Sequence, residues 1–206
     1  MIDVRYQFPP PGLVGNANSK TFFAFLQHIF CGPGVSHAFC ITYQDGYART
    51  IPMVFEADMT VTHTPFSRYL ADKTVDFWLY SIIGETPEEM VHSLDKCIEE
   101  FSGVSYGFTN TIWFVWEWFN RVVLHRDVRH EKNWFTDGII CTELWYYRMW
   151  YMTELHPERW TKLRAILQEW NPDTIQAYDT MKIMTGNPDI FKPYGKFISG
   201  VYTPLI

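Results

Sequence analysis

Three predicted strands follow one another without an intervening helix, and this order constrains the fold more than any other feature of the sequence. They span about residues 35–43, 47–57 and 74–83. Consecutive strands with short connections pair antiparallel, whereas parallel strands need a long crossover. The dipeptide Asp45-Gly46 favours a two-residue hairpin turn between the first two strands, because such a turn needs positive φ at its centre. The chain is therefore predicted to be α+β, with an antiparallel sheet packed against helices.

Most of the remaining segments are predicted to be helical. The clearest helix begins at Thr86, where Pro87 and Glu89 complete a capping-box pattern, and it ends at Gly103. Cys97 lies on its apolar stripe and is interpreted as a small core residue. Further helices are predicted at about residues 16–30, 110–124, 139–152, 157–170 and 173–184, and a turn-rich tail is predicted at residues 186–195.

The composition indicates one domain with a substantial core. The chain has 206 residues, of which 47% are hydrophobic and 18% aromatic, and its net charge is -6. A nucleic-acid partner is disfavoured, because such proteins present a basic face. There is no apolar leader segment and no apolar run of about 18 residues, so we predict a cytoplasmic protein without a membrane span. Residues 153–206 are predicted to form a helical C-terminal extension of this single domain.

The cysteines and histidines do not form a metal-binding pattern. None of the four cysteines belongs to a CxxC pair, and free thiols are predicted. Cys31 and Cys40 are interpreted as packing residues. His125 and His130 lie near acidic residues but lack a familiar ligand spacing. No metal and no cofactor are therefore predicted.

A histidine and a glutamate are predicted to share one face of the hairpin. With Asp45 and Gly46 as the turn residues, His37 faces Val54, and Glu56 lies diagonal to His37 on the same side of the sheet. Diagonal neighbours are about 7–8 Å apart by backbone, within reach of long side chains. Taken alone, His37 is typical of a rim or core histidine and Glu56 of a solvated edge carboxylate. Together they suggest an imidazole oriented by an acid.

A cysteine near the start of a predicted helix completes a candidate triad. Cys141 follows a glycine in GIICTELWYY. A helix N-terminus lowers the pKa of a thiol, and its free N–H groups can stabilise an oxyanion. The alternative is a buried, inert thiol. With His37 as base and Glu56 as orienter, Cys141 would be the nucleophile, since triads are defined by geometry and not by chain order.

Three other residues receive weaker interpretations. Tyr106 in GVSYGF is predicted to line the cleft and bind substrate through a hydrogen bond, although a half-buried core tyrosine fits equally well. Glu143 is predicted to be structural, by pairing with a basic group or capping a turn. His63 is predicted to lie in a solvated, Thr-rich loop.

The order of these segments resembles that of circularly permuted, papain-like cysteine hydrolases of the NlpC superfamily. The segments are GVSHAFCITYQDG, VFEADMTVTHTPFSRYL, GVSYGF and GIICTELWYY, within residues 10–150. They are similar, in turn, to the family's histidine strand, its acidic strand, its G-x-x-Y segment and its C-S-E-L nucleophile helix. The sequence departs from that pattern at Ala38, where glycine is frequent, at Thr142, where serine is usual, and at Trp145.

The resemblance implies a papain-like fold and a thiol hydrolase. It carries over His37 as base, Glu56 as orienter and Cys141 as nucleophile, with an acyl-enzyme intermediate. The implied substrates are peptides, other amides or lipid esters, in an intracellular or phage-encoded setting. A rival from a different class is a non-catalytic binding or structural module that retains the fold, which the aromatic richness of the chain and the apolar helix around Cys141 also suit.

Overall fold

The computed structural model describes residues 9–20, 35–43, 51–107, 110–132, 138–199 and 201–204. Seven strands lie in this described part: β1 Val14–Ser19, β2 His37–Tyr43, β3 Pro52–Ala57, β4 Val61–Pro65, β5 Val75–Ile82, β6 Phe191–Ile198 and β7 Val201–Pro204. The α-helices there are α1 Phe66–Ala71, α2 Pro87–Phe101, α3 Asn110–Trp118, α4 Cys141–Met152, α5 Thr161–Gln168 and α6 Ala177–Gly186. A π-helical turn, Phe119–Val123, continues α3, and a 3-10 turn, Pro172–Thr174, precedes α6.

The seven strands form one antiparallel sheet, which confirms the predicted α+β class. Their order is β4-β3-β2-β1-β5-β6-β7, so that β1 lies between β2 and β5. One face of the sheet packs against α4, α5 and α6, through residues such as Cys40, Trp145 and Leu163. The other face packs against α1 and is lined by Phe39 and Phe77. The two faces alternate along each strand, as the period of two requires.

The predicted hairpin register is wrong by four residues. Cys40 pairs with Phe55 and Tyr43 pairs with Pro52, so the connection spans residues 44–51 instead of two residues. Asp45 and Gly46 lie outside the described residues. A shift of four preserves side-chain parity, because only an odd shift moves a side chain to the opposite face. His37 and Glu56 therefore still share a face, with the diagonal running in the opposite direction.

The predicted C-terminal extension is helical only in its first part. Residues 188–190 of the predicted turn-rich tail do form a turn, but residues 191–195 begin β6, and β6 and β7 complete the sheet beside β5. The sequence signal failed because Pro193 and Gly195 are typical of turns. A register shift opposite Leu79 and Tyr80 accommodates Pro193 in the strand. Gly195 lies under the Tyr202 ring, where an added Cβ would be 2.5 Å from the nearest ring atom.

Two further segments of the first half differ from the prediction. Residues 16–19, predicted to begin a helix, belong to β1, and residues 21–34 lie outside the described part. His63 lies on β4 and packs against the Phe55 ring at a centroid distance of 4.8 Å, so the prediction of a solvated loop is wrong. Strand β4 and helix α1 were not predicted, because each element is short and their common sequence, TVTHTPFSRYL, is rich in polar residues.

Helix α2 has the predicted capping box. The Glu89 N–H donates to the Thr86 hydroxyl at 3.2 Å, and the Glu89 carboxylate accepts from the Thr86 N–H at 2.8 Å. Cys97 is fully buried, as predicted, whereas Val91 of the predicted stripe is 50% exposed. Among the described residues, no helix is long and apolar enough to cross a membrane.

Candidate active site

His37 and Glu56 are joined by a direct hydrogen bond. The Nε2 atom of His37, at the start of β2, lies 2.8 Å from Oε2 of Glu56 on β3. The Glu56 side chain is almost completely buried. An ionised carboxylate only accepts hydrogen bonds, so Nε2 carries the proton and Nδ1 is left for a second partner.

The tyrosine of α1 gives Glu56 a second donor. The Tyr69 hydroxyl donates to the same oxygen, Oε2, that accepts from His37. Burial and the neighbouring carboxylate of Glu56 raise the pKa of Tyr69 well above its usual range, so the hydroxyl remains a donor. Tyr69 lies within a segment that carries the family resemblance, but its sequence gave no sign of this role.

Backbone contacts fix the position of Cys141 at the first residue of α4. Gly138 approaches Ser105 so closely that an added Cβ would lie 2.2 Å from the Ser105 carbonyl oxygen. The Ile139 N–H donates to this same oxygen at 3.1 Å, next to the Tyr106–Ile139 bridge. Glycine is therefore required three residues before the thiol, where any side chain would separate these two segments.

A carboxyl group caps the beginning of α4. The Ile140 N–H donates to Oε2 of Glu143 at 2.8 Å, which confirms the predicted capping role of Glu143. Burial raises the pKa of Glu143 to about 8, and the nearby charge of Asp173 acts in the same direction. A raised pKa favours the protonated form of Glu143 beside Asp173, whose own pKa is also raised by burial.

The end of the β2–β3 ladder leaves space for the thiol. β2 pairs with β3 from Cys40 onward, so Ala38 pairs with Asn16 of β1 but has no partner on β3. The His37 side chain and the N–H groups of Ala38 and Thr142 are near enough to the Cys141 thiol to lower its pKa. The structure thus brings together Cys141, His37 and Glu56, the three residues selected from the sequence.

Electrostatic coupling favours an ion pair between thiol and imidazole. Burial raises the pKa of Cys141. The positive charge of His37 and the nearby backbone N–H groups lower this pKa by more than burial raises it, so the pKa lies below its usual range. Burial lowers the pKa of His37, but Cys141 and Glu56 together raise it well above its usual range. Burial also raises the pKa of Glu56, but the hydrogen bond from His37 outweighs this effect. The pKa of Glu56 is therefore lowered, and Glu56 stays ionised.

A small pocket opens beside Cys141. Its lining comes from the residue before β2, the segment before α3, α3 itself and the starts of α4 and α6: Ser36, Tyr106, Phe114, Ile140, Cys141, Thr142, Gln176 and Ala177. The structure thus places Tyr106, the residue predicted to bind substrate, in this lining. The Thr142 hydroxyl is buried and has no hydrogen-bond partner among the described residues, so it is available to a bound molecule.

Gln176, a polar residue of the pocket lining, was not predicted from the sequence. The Gln176 side-chain amide donates to Oε2 of Glu117 at 2.6 Å, and Oε1 of Glu117 lies 2.6 Å from Arg121. Glu117 is completely buried, and burial raises its pKa to about 8. Gln176 lies 35 positions after Cys141 in the sequence, and no local motif connects it to the thiol.

The other described cysteines are structural thiols. Cys40 and Cys97 are buried and free. Burial raises the pKa of Cys40 to about 12, and it also raises that of Cys97. Cys31 lies outside the described residues. No cluster of three or more potential metal ligands occurs within the described ranges.

Comparisons with known proteins find similar chains among the solved structures. No protein-family model and no curated protein matches this sequence. Among solved structures, the chain is similar to the metalloprotein yiiX of Escherichia coli O157:H7, a DUF1105 protein, with a TM-score of 0.41 and 18% sequence identity. The matched region covers 56% of this chain and 67% of that one. The chemistry of the site therefore rests on its own geometry.

Proposed function

We propose that the protein is a cysteine hydrolase or acyltransferase that acts on an amide or an ester. The observation that carries the proposal is the position of His37 between Glu56 and Cys141. A thiol is activated when a base lies beside it and an acid on the other side of the base orients that base. Neither of the other described cysteines has a histidine among the groups that shift its pKa.

The resemblance of the sequence supports a permuted, papain-like version of this arrangement. The histidine strand, the acidic strand and the cysteine helix follow one another in the order that the NlpC-type enzymes have. The antiparallel sheet, with α4 against one face, accommodates that arrangement. A non-catalytic module that retains this fold remains the alternative, and only the reactivity of the thiol separates the two.

Each triad residue has a defined step in the proposed reaction. His37 accepts the Cys141 proton at Nδ1, and the resulting thiolate attacks the substrate carbonyl carbon. The oxyanion of the tetrahedral intermediate is stabilised by N–H groups at the start of α4, including that of Cys141. The C–N or C–O bond then breaks, and His37 returns its proton to the leaving amine or alcohol, which leaves a thioester on Cys141.

The second half of the reaction regenerates the thiol. His37 removes a proton from water or from an acceptor nucleophile, which attacks the thioester carbonyl carbon. The C–S bond breaks, Cys141 leaves as the thiolate, and the acid or the transferred acyl product departs. Glu56 keeps its charge throughout and stabilises the imidazolium that forms in both halves.

The pocket supports a small acyl group as the part of the substrate nearest the thiol. Phe114, Ile140 and Ala177 supply apolar surface, whereas Ser36 and Gln176 supply polar groups. An acyl chain with one amide or hydroxyl group would satisfy both. Peptides, γ-glutamyl amides and lipid esters all contain such groups, and we propose these classes for a substrate search.

Selective alkylation tests the proposal. Native protein is treated with substoichiometric iodoacetamide between roughly pH 5 and 9, and the labelled cysteine is identified by mass spectrometry. We expect labelling of Cys141 at acidic to neutral pH, abolished by Cys141→Ala and strongly reduced by His37→Ala. Cys97→Ala serves as the control and leaves the labelling unchanged. Labelling of no cysteine before denaturation, or of all equally, would instead favour the binding module.

A further inference from the structure

The outward side of α3 and of the π-helical turn after it is apolar throughout. Between positions 112 and 124, every exposed residue is apolar. Positions 112, 115, 116 and 119 follow the spacing of a single helix face, and the turn continues it. The seven residues, which expose 40% to 57% of their surface, are Ile112, Val115, Trp116, Phe119, Val122, Val123 and Leu124. We name them the α3 patch.

The polar residues of the same segment point inward. Glu117 and Asn120 are completely buried, and Arg121 pairs with Glu117 at 2.6 Å and with Asp179 at 3.3 Å. Asn120 also donates to the Trp116 carbonyl oxygen at 2.9 Å within this segment. A solvated helix has the opposite arrangement, with its charges outside and its apolar stripe inside. The segment therefore presents an uncharged, apolar side to the surroundings.

The size of the patch matches one side of a protein interface. An aromatic side chain has about 150 to 250 Å² of surface and an aliphatic one lies near the lower figure, so the seven residues at these exposures present on the order of 600 Å². Stable interfaces bury about 800 Å² per partner, rim included. The largest apolar patch on an ordinary monomer covers about 300 to 600 Å² and is often functional, so the α3 patch lies at the upper end of that range.

The charges around the patch favour a second copy of this chain over a lipid surface. Binding to anionic lipid requires free basic residues beside the apolar face. Here Arg126 lies 3.7 Å from Glu131, and Arg129 lies 2.7 Å from Asp127, so these cations are already compensated. An uncharged patch is complementary to itself across a two-fold axis, since neither copy has a charge to desolvate.

We propose that the α3 patch is the two-fold interface of a homodimer. Trp116 and Phe119 are the aromatic residues of the patch and act as its anchors. None of the seven residues lines the pocket beside Cys141, so the dimer is independent of the proposed hydrolase chemistry.

Two matched valine substitutions test the dimer. Val122 of the patch is 53% exposed and Val91 of α2 is 50% exposed, so Val122→Glu and Val91→Glu make the same chemical change at equal exposure. Mass is measured by light scattering over a concentration series of the full chain. We expect a dimer for the wild type and for Val91→Glu. Val122→Glu places one carboxylate per copy into the interface and raises the dissociation constant at least about tenfold.

A measurement on the unmodified chain keeps the test independent of variant folding. Hydrogen exchange of residues 112–124 should slow as protein concentration rises, whereas exchange in α2 should not change. A wild type that stays monomeric at the highest concentration overturns the proposal. So does a dimer that both substitutions weaken equally or that neither weakens. Sedimentation of the monomer with phosphatidylcholine–phosphatidylglycerol vesicles, lost in Val122→Glu, assigns the patch to lipid and also overturns it.

Discussion

Tyr69 donates a hydrogen bond to the same carboxylate oxygen of Glu56 that binds His37. Helix α1 is only six residues long, and its tyrosine connects the edge of the sheet to the centre of the candidate site. Because both donors stabilise the ionised carboxylate, Tyr69 influences the imidazole through Glu56 without contacting the thiol in the proposed reaction. Tyr69 is therefore a positioning residue.

Replacing Tyr69 with phenylalanine should weaken the ion pair at the thiol. Loss of one donor raises the pKa of Glu56 and lessens its support for the His37 imidazolium. A hydrogen bond to a charged group contributes about 2 kcal/mol, so unfolding by urea should show a loss of that order. The rate of Cys141 alkylation near neutral pH should fall severalfold.

Tyr151→Phe is the matched control for this change. The Tyr151 hydroxyl also donates to a carboxylate, that of Glu100, but this pair joins α4 to α2 away from His37. A similar loss of stability with an unchanged alkylation rate is expected. If the two variants slow alkylation equally, Tyr69 is merely structural.

Glu56→Gln should raise the pH at which Cys141 becomes reactive. The amide can still accept the hydrogen bonds, but it removes the negative charge, so the pKa of His37 falls and that of Cys141 rises. The thiolate–imidazolium pair exists between these two values, which belong to the pair as a whole. Because iodoacetamide reacts with the thiolate whether or not the imidazole is charged, the alkylation rate measured against pH should lose its acidic limb and rise only at a higher pH than in the wild type. An unchanged profile would show that Glu56 does not act on the thiol through its charge.

The chemistry of the site was more predictable than its architecture. His37 and Glu56 could be paired from the sequence because side-chain parity survives an even register shift, although the turn itself was placed wrongly. Cys141 was recognisable because a helix N-terminus follows a glycine there. These are local patterns, and local patterns are what a single sequence carries.

The remaining parts of the site depend on contacts between distant segments. Gln176 reaches the pocket only because the chain after α5 returns to the start of α4, and Tyr69 reaches Glu56 only because α1 packs on β3. Strand β6 contains Pro193 and Gly195, whose usual preference for turns is overridden by pairing with β5. Tertiary contacts of this kind leave no periodicity or spacing to detect.

The stability of the protein should fall as pH rises from about 5 to 8. Burial raises the pKa of both Glu117 and Glu143 from 4.5 to about 8, so the folded state retains protons that the unfolded state has released. At pH values above the pKa that it has in the unfolded chain, such an acid therefore lowers the free energy of unfolding. Glu143→Gln mimics the protonated acid and can still bind Asp173 and the Ile140 N–H.

Urea denaturation at two pH values checks this expectation. Glu143→Gln should unfold with about the wild-type free energy near pH 5.5 and with a higher free energy near pH 8.5. Glu99→Gln, at an exposed position on α2, is the control and should follow the wild type at both values. If the wild type and Glu143→Gln change in parallel with pH, Glu143 is ionised in the folded protein at neutral pH.

Gln176→Ala should widen the pocket and loosen its floor. The substitution removes a pocket-lining side chain and leaves the buried Glu117 carboxylate with Arg121 as its remaining side-chain partner. An unsatisfied buried group costs about 1–3 kcal/mol, so the free energy of unfolding should drop by that order.

The extra space should allow bulkier thiol reagents to reach Cys141, and a series from iodoacetamide to N-phenylmaleimide should show the larger gain for the larger reagent. Gln168→Ala, at an exposed position on α5, should change neither quantity. Equal acceleration of small and large reagents would mean that Gln176 restrains the motion of the site and does not limit the size of what enters it.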